Sequence, residues 1–394
     1  MAKPERVPWG MKKSSKFCIA IFTHTQYKNN HPVNGPADTL VEYFKQKKLD
    51  SIYYLQHSLF RGNGSVCTTS TKTIFKYDFH QNFPNIVRYL IDIFYPLLLL
   101  KEINKCETII AVDPLNFFTS FFLKKLKKAR TVIYYTVDYA PQRFPSALLS
   151  WFYHALDQFA IKNCDLSFSS AQAIQQVRKK QGLRNSKNIY LPNTPLLYDL
   201  KPKSVSKLNR NNLVMVFSSI RGIDFPFLFK ALSILIKDNQ KLVLHLIGRG
   251  NFKTKVLKFV EDRKLLKHLR FYDTPTHKET LKVIRNCAIG LECNDGSSAW
   301  NEYREPLKIR EYMSFGLPIV SKPGHALESE IEKNKFGFIV NTVEEFINAI
   351  NQLTKDDKLY TDMRKKILSY IKSIQKKVVL DKIFFNKDND LFKV

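Results

Sequence analysis

Short apolar runs alternate along the chain with longer stretches of helical periodicity. The short runs lie at 17–22, 51–55, 108–112, 131–136, 166–169 and 188–191, then at 213–217, 242–247, 269–272, 289–292, 319–321 and 337–340, and predict strands. The longer stretches predict helices at 37–47, 83–101, 117–128, 146–163 and 171–181, then at 225–237, 253–264, 277–286, 306–315, 326–334 and 343–353. Apolar strands spaced by helices are what a parallel sheet covered on both faces requires. Between the two sets, 192–212 holds Pro192, Pro195 and Pro202 among Asn, Ser and Lys and reads as a linker. The pattern therefore predicts an α/β chain of two doubly wound, Rossmann-like lobes with a cleft between them. A flexible leader takes 1–15, the N-terminal lobe 16–200 and the C-terminal lobe 201–355. A lysine-rich helical tail, 356–394, is expected to pack back on the N-terminal lobe.

Composition sharpens this only in part. With 394 residues, 44% of them hydrophobic and 25% charged, the chain has ample material for a core, and wholesale disorder is excluded. Charge is more telling: Lys and Arg number 63 against 35 Asp and Glu, a net +28. Residues 1–200 carry 27 basic and 13 acidic residues and the remainder 36 and 22, so each half holds a surplus of 14. Such a field attracts nucleic acid, anionic membrane or phosphorylated ligands without choosing among them. Cys18, Cys67, Cys106, Cys164, Cys287 and Cys293 include no CxxC pair, and reduced thiols in a cytoplasmic protein are expected. The apolar run at 17–22 is too short for a signal sequence, and no charge-free stretch reaches spanning length.

The most informative segment is Glu305-Pro306-Leu307-Lys308-Ile309-Arg310-Glu311-Tyr312-Met313-Ser314-Phe315-Gly316-Leu317-Pro318-Ile319-Val320. It predicts a helix with Pro306 near its first position, Gly316 past its end and Pro318 directing the chain into a strand. A helix N-terminus attracts anions, and Lys308 and Glu311, three apart, share a face. The cation suits a diphosphate and the carboxylate a ribose hydroxyl; an ordinary capped helix with a surface ion pair is the other reading.

This segment resembles the donor-site signature P-x-K-x-x-E-y-m-x-x-G-x-P-I/V-V of the group 1, family 4-like GT-B glycosyltransferases. Leu191-Pro192-Asn193 is similar to that family's I-P-N, and Arg221-Gly222 with the helix after it resembles its K-G turn. His245-Leu246-Ile247-Gly248-Arg249-Gly250 resembles its l-x-i-x-G-x-G, and 287–292 its a-d-v-x-v-x-p strand. The resemblance covers about 190–355 and extends to the first lobe only as a pattern. It implies a GT-B-like fold and sugar transfer from a nucleotide-diphosphate donor, without metal or other cofactor. The donor would meet Arg221, Gly222, Gly248, Arg249, Glu305, Pro306, Leu307, Lys308 and Glu311.

Two departures stand out. The family's paired glutamates lie eight apart, but eight before Glu311 is Tyr303, flanked by Glu302 and Glu305; stereochemistry is left open. Ser218-Ser219 stand where many members place an arginine, which leaves the phosphate grip to Arg221, Lys308 and backbone amides. Gly248-Arg249-Gly250 fails the dinucleotide fingerprint, because Lys253 stands at the third glycine position.

In the first lobe, Asp138 stands just past a strand end, either as a base for an acceptor hydroxyl or as a turn cap. Asp113, before Pro114, is a similar candidate. Asn34, Gly35 and Tyr139 complete the acceptor-side loops. His24, His31, His57 and His277 have no ligand spacing, and Asp388-Asn389-Asp390 falls in the tail rather than after a core strand, so no metal site is expected. The stretch 117–128 sets four phenylalanines before four lysines, either a βα helix or a surface for the cytoplasmic membrane face. The expected acceptor is a glycan or a lipid-linked sugar. The rivals are a basic nucleic-acid-binding protein, which lacks any recognisable motif, and a same-fold epimerase or non-catalytic subunit.

Overall fold

The structure, a computed structural model, describes residues 18–28, 31–32, 35–49, 51–59, 64–69, 72–77, 83–94, 96–97, 106–195, 200–248, 252–260, 263–295 and 302–385. It divides into two compact units. One runs to Tyr134 and takes in Asn163–Asp165; the other holds Tyr135–Lys162 and Leu166–Phe385.

The strands of the first unit are β1 (Cys18–Thr25), β2 (Tyr27–Lys28), β3 (His31–Pro32), β4 (Ser51–Ser58), β5 (Ser65–Thr68), β6 (Thr73–Tyr77), β7 (Cys106–Val112) and β8 (Ala129–Thr136), whose end passes into the second unit. Its sheet runs β8-β7-β1-β4-β5-β6. β1 is its centre, pairing in parallel with β4 and β7, and Ile19–Phe22 are fully buried. That burial on both faces is why β1 reads as an unbroken apolar run.

The expectation of purely parallel strands fails at the edge. β5 and β6 are antiparallel, and β2 pairs with β3 as a small hairpin. These strands are short, and polar residues interrupt their apolar ones, so no apolar run announces them. The helix Asn85–Phe94 is shorter than expected, with Pro96 just beyond it. The next, Pro114–Lys125, begins earlier than expected because Asp113 caps it and Pro114 fits its first turn. Cys18 and Cys106 are joined by a disulfide, whereas the sequence predicts six reduced thiols; only the β1–β7 adjacency brings them together. The other four cysteines are free and buried.

In the second unit, β9 (Leu166–Ser169) and β10 (Asn188–Tyr190) pair in parallel. A separate, wholly parallel sheet is built from β11 (Asn212–Val216), β12 (Val243–Gly248), β13 (Leu269–Asp273), β14 (Ile289–Glu292), β15 (Ile319–Ser321) and β16 (Gly337–Ile339). Its order is β13-β12-β11-β14-β15-β16, so the direction of winding reverses between β11 and β14. Alternate residues of β11 serve opposite faces: Leu213 and Met215 join the core with helices Phe225–Asp238 and Val343–Lys355. Val214 joins the other core, with Ile309, Tyr312 and Met313 of helix Leu307–Ser314. The helix expected at 253–264 is instead Phe252–Leu257 followed by a 3-10 turn, Arg263–His268.

The tail begins with helix Asp357–Ile374. Its Tyr360 and Met363 enter one core of the second unit, and Ile367 and Ile371 the other. Arg364 donates to Phe315 O at 2.6 Å and Gly316 O at 2.9 Å, satisfying the carbonyls that end helix Leu307–Ser314.

Candidate functional site

Ligands of doubly wound sheets bind beyond the carboxyl ends of the strands at the winding reversal. In the second unit that place is the end of β11 and β14, and β14 ends on the fully buried Glu292. Helix Leu307–Ser314 lies beside it. Its Tyr312 hydroxyl accepts from Val216 N at 2.8 Å, tying the helix to the end of β11. Lys308 Nζ stands 2.8 Å from Glu292 Oε1. Glu311, buried, is bonded to His277 Nε2 at 2.7 Å. Pro306 is the cap residue rather than the first helical one, and Leu307 beside it is exposed. The amides of Leu307 and Lys308 have no intrahelical acceptor, whereas that of Ile309 donates to Pro306 O at 3.1 Å.

The turn after β11 forms the opposite wall. Arg221 is exposed there, and Gly222 adopts φ +83°, a conformation costly for other residues. Asp224 N donates to Cys293 O at 2.9 Å and Asp295 N to Gly222 O at 3.1 Å, so this turn is bonded to the exit of β14. Asp224 also caps helix Phe225–Asp238 and accepts from Lys322 Nζ at 2.5 Å. His325 accepts from Leu327 N through Nδ1 at 3.1 Å and faces Ser321 Oγ through Nε2 at 2.8 Å. Burial pushes its pKa down to about 4, so it is neutral. Gly248 answers to packing: a Cβ there would lie 2.7 Å from Phe217 and 2.8 Å from Phe252. Arg249 lies outside the described residues.

Glu305 is placed differently from the donor contact expected of it. Its carboxylate is paired with Arg310 and accepts from Tyr190 Oη at 2.6 Å. Arg310 is fully buried and also reaches Glu330 at 2.5 and 3.0 Å and Tyr190 Oη at 2.7 Å. This is a fixed internal network at the root of the helix, not a surface offered to a ligand.

Asp138 and Tyr139 follow β8. The Asp138 carboxylate is half-exposed and 3.9 Å from Arg304 Nε. No turn amide is bonded to it among the described residues, which counts against the capping role. The Tyr139 ring meets Tyr303 edge-on at 5.1 Å and has the Arg178 guanidinium 5.4 Å from its centroid. Arg178 is itself buried in a two-pronged pair with Asp157, at 2.5 and 2.8 Å.

The first unit has its own winding reversal, between β1 and β7. Asp113 lies there at φ 75°, accepting from Asn116 N at 3.1 Å as a helix cap. His24 Nδ1 is 2.6 Å from Asp113 Oδ2, and His24 Nε2 is 3.5 Å from Asp92. Burial alone would lower the His24 pKa, but the two carboxylates outweigh it and raise it to about 10. Burial lowers that of His57, which shares Asp92. Gly35 caps helix Pro36–Gln46, its N–H donating to Asp38 at 2.6 Å; Asn34 lies outside the described residues.

Residues 200–369 match the family model described as glycosyl transferases group 1. The similarity to that family covers 170 of the 394 residues and falls in the second unit. Among solved structures, S. aureus TarM shares 17% identity over 82% of this chain and 60% of its own, with a TM-score of 0.54. Anabaena HepE, solved with UDP, shares 13% over 92% and 97%, TM-score 0.61. Sucrose-phosphate synthase from Thermosynechococcus elongatus shares 11% over 93% and 97%, TM-score 0.63. At these identities the likeness is one of fold, and the fold is GT-B. The chain spans about 60% of the length of TarM. No curated protein matches it in sequence.

Within residues 200–369, the sequence pattern brought Lys308, Glu311, Gly222 and Arg221 to the strand ends and missed Glu292, Lys322, Asp224 and His277. Asp224 carried a signal, as an acidic residue directly before an apolar helix with proline in its first turn. Glu292 carried none beyond its place as the last residue of a strand. Among the described residues, no group of three His, Cys, Asp or Glu is placed to hold a metal ion. The sequence Asp388-Asn389-Asp390 lies outside them.

Two outcomes follow from these networks. Arg310→Met strands Glu305 and Glu330 without their cation, and should cost roughly 3–5 kcal/mol in denaturant unfolding. A loss under about 1 kcal/mol would show that the network is solvated. His24, with its pKa raised, stabilises the fold fully below its unfolded value near 6.5, and that contribution is lost as pH rises through about 10. Melting temperature measured from pH 6 to 10.5 should fall less steeply in His24→Gln than in the parent; equal slopes would remove the cationic assignment.

Proposed function

We propose that the chain is a glycosyltransferase that moves a sugar from a nucleoside-diphosphate donor to a hydroxyl of a glycan or lipid-linked acceptor. Synthesis of a cell-surface polysaccharide or glycolipid is the setting that fits. The observation that carries this reading is Lys308 at the mouth of the second sheet's winding reversal, on a helix start, within the residues similar to the group 1 family. The structures of TarM and pneumococcal GtfA were solved with UDP, and that of TarM also with alpha-GlcNAc-glycerol, which supports a nucleotide at this place.

In this reading Lys308, Arg221 and the free amides of helix Leu307–Ser314 meet the charge that develops on the leaving diphosphate. Glu311, held by His277, accepts from ribose. Asp138 receives the acceptor proton if the anomeric centre is inverted: it is half-exposed and uncapped, and Tyr139 behind it rests on a buried guanidinium. If configuration is retained, the donor face near Tyr303 carries the chemistry and Asp138 positions the acceptor.

A lipid-linked acceptor is supported by the surface of the first unit. Leu90 and Phe94 on one helix, and Phe122 and Leu126 on and just past its neighbour, are exposed beside Lys125 and Lys127. Rings among acyl chains and ammonium groups against anionic headgroups are what such a surface offers. No helix of the described residues is long and apolar enough to cross a membrane.

Activity with a panel of nucleotide sugars tests the proposal. Lys308→Ala should weaken donor use by about ten- to a hundredfold while the melting temperature holds. Asp138→Asn should cut turnover on the order of a hundredfold with donor affinity intact. Unchanged turnover in both variants would sink the assignment. The surface is tested separately: the protein should sediment with anionic vesicles at low salt and leave them at high salt. Equal binding to neutral vesicles, or binding to neither, would end the membrane reading.

A further inference from the structure

Lys308 reaches the crevice from outside, while Glu292 lies behind it with no exposure. A carboxylate so placed needs a cation, and the structure supplies one. Apart from Lys308 and the nearby Asn294 side chain, neither Glu292 oxygen has a partner among the described residues. Among the described residues, the other charges around it are committed elsewhere. Lys322 donates its backbone N–H to Glu292 O at 2.8 Å, but its ammonium lies on Asp224. Tyr312, from the helix side, is bonded to Val216 N. Cys293, next along the chain, is buried, and burial together with Glu292 keeps its thiol protonated. Glu311 is engaged by His277, and His325 is neutral.

We propose that Glu292 is the counter-charge that positions Lys308, and that it takes up one proton from solvent when a nucleoside diphosphate engages that lysine. The inference rests on the donor-site reading given under Proposed function. Before binding, the ammonium and the carboxylate neutralise each other. Once the diphosphate draws on the ammonium, the buried carboxylate faces an added anion in a medium that solvates neither. A proton from water on a Glu292 oxygen removes that conflict, and the charge balance closes with one proton per nucleotide. Burial already raises the Glu292 pKa, with Lys308 opposing it, so drawing the ammonium away acts in the direction of protonation. Glu292 is thus a positioning residue: it acts through Lys308 and need not touch the donor.

Isothermal titration of UDP, GDP and ADP into the full chain at pH 7.5, in two buffers of different ionisation enthalpy, measures the linked proton directly. The expected result is uptake of about half to one proton per bound nucleotide in the parent chain. The sign is diagnostic, because the terminal phosphate, moved beside a cation, would release protons instead. Glu292→Gln should bind within about tenfold of the parent and take up close to none. Binding by the parent with no uptake, or with release, overturns the inference and leaves the donor site standing. Uptake that persists undiminished in Glu292→Gln also overturns it. If none of the three nucleotides binds the parent, the donor-site reading falls and this inference with it.

Discussion

A guanidinium shut off from solvent decides where helix Leu307–Ser314 begins. Arg310 sits among Glu305, Glu330 and the Tyr190 hydroxyl. A buried cation is tolerable only when its partners are fixed, so three separate stretches must hold their places together. Tyr190 ends β10, Glu305 stands just before helix Leu307–Ser314, and Glu330 belongs to helix Glu328–Lys333. The first turn of the helix is anchored from within, and Lys308 and Glu311 lie on a different face from Arg310, paired with Glu292 and His277. The C-terminal end is anchored by a second cation, Arg364, on the last carbonyls. A helix of eight residues is marginal alone, and here both ends are set by arginines from inside the fold.

Tyr312 links this anchoring to the sheet. Its ring lies against Gly290 of β14 so closely that a Cβ there would come within 2.4 Å of it. The missing side chain lets the helix sit directly on the strand that ends in Glu292. The hydroxyl then crosses to Val216 N, the backbone group where β11 ends. One side chain therefore spans the winding reversal and sets the distance between the two strand ends. Lys308, one turn earlier on the same helix, is brought to Glu292 by the same placement.

Much of this was legible beforehand, for physical reasons. Parallel strands buried on both faces are largely apolar, and the runs Ile19–Phe22 of β1 and Leu213–Val216 of β11 show it plainly. Proline and glycine bracketed the helix at 306–316 because only those residues suit its ends. What escaped notice is equally physical. The edge strands β5 and β6 are short, and polar residues break up their apolar ones. Glu305 looked available because it adjoins the motif, but Arg310, five residues on, is turned inward and claims it. The histidines looked isolated because their partners are remote in sequence: His24 meets Asp113 only through the β1–β7 pairing, and His277 meets Glu311 only through helix packing. Spacing cannot report contacts that long-range topology creates.

The net charge of +28 and the local neutrality of the Lys308–Glu292 pair act at different ranges. A long-range field speeds encounter with any anion and fades with salt. It does not distinguish a nucleoside diphosphate from inorganic phosphate or nucleic acid. Inside the crevice the Lys308 ammonium is paired with a buried carboxylate, so the long-range field is not what a ligand meets there. In the proposed reading a ligand brings more than charge: a ribose for Glu311, and phosphates reaching the first amides of the helix together with Lys308. Selectivity then comes from pairing each exposed attraction with an internal counter-charge, and the surplus of lysines on the surface serves capture rather than choice.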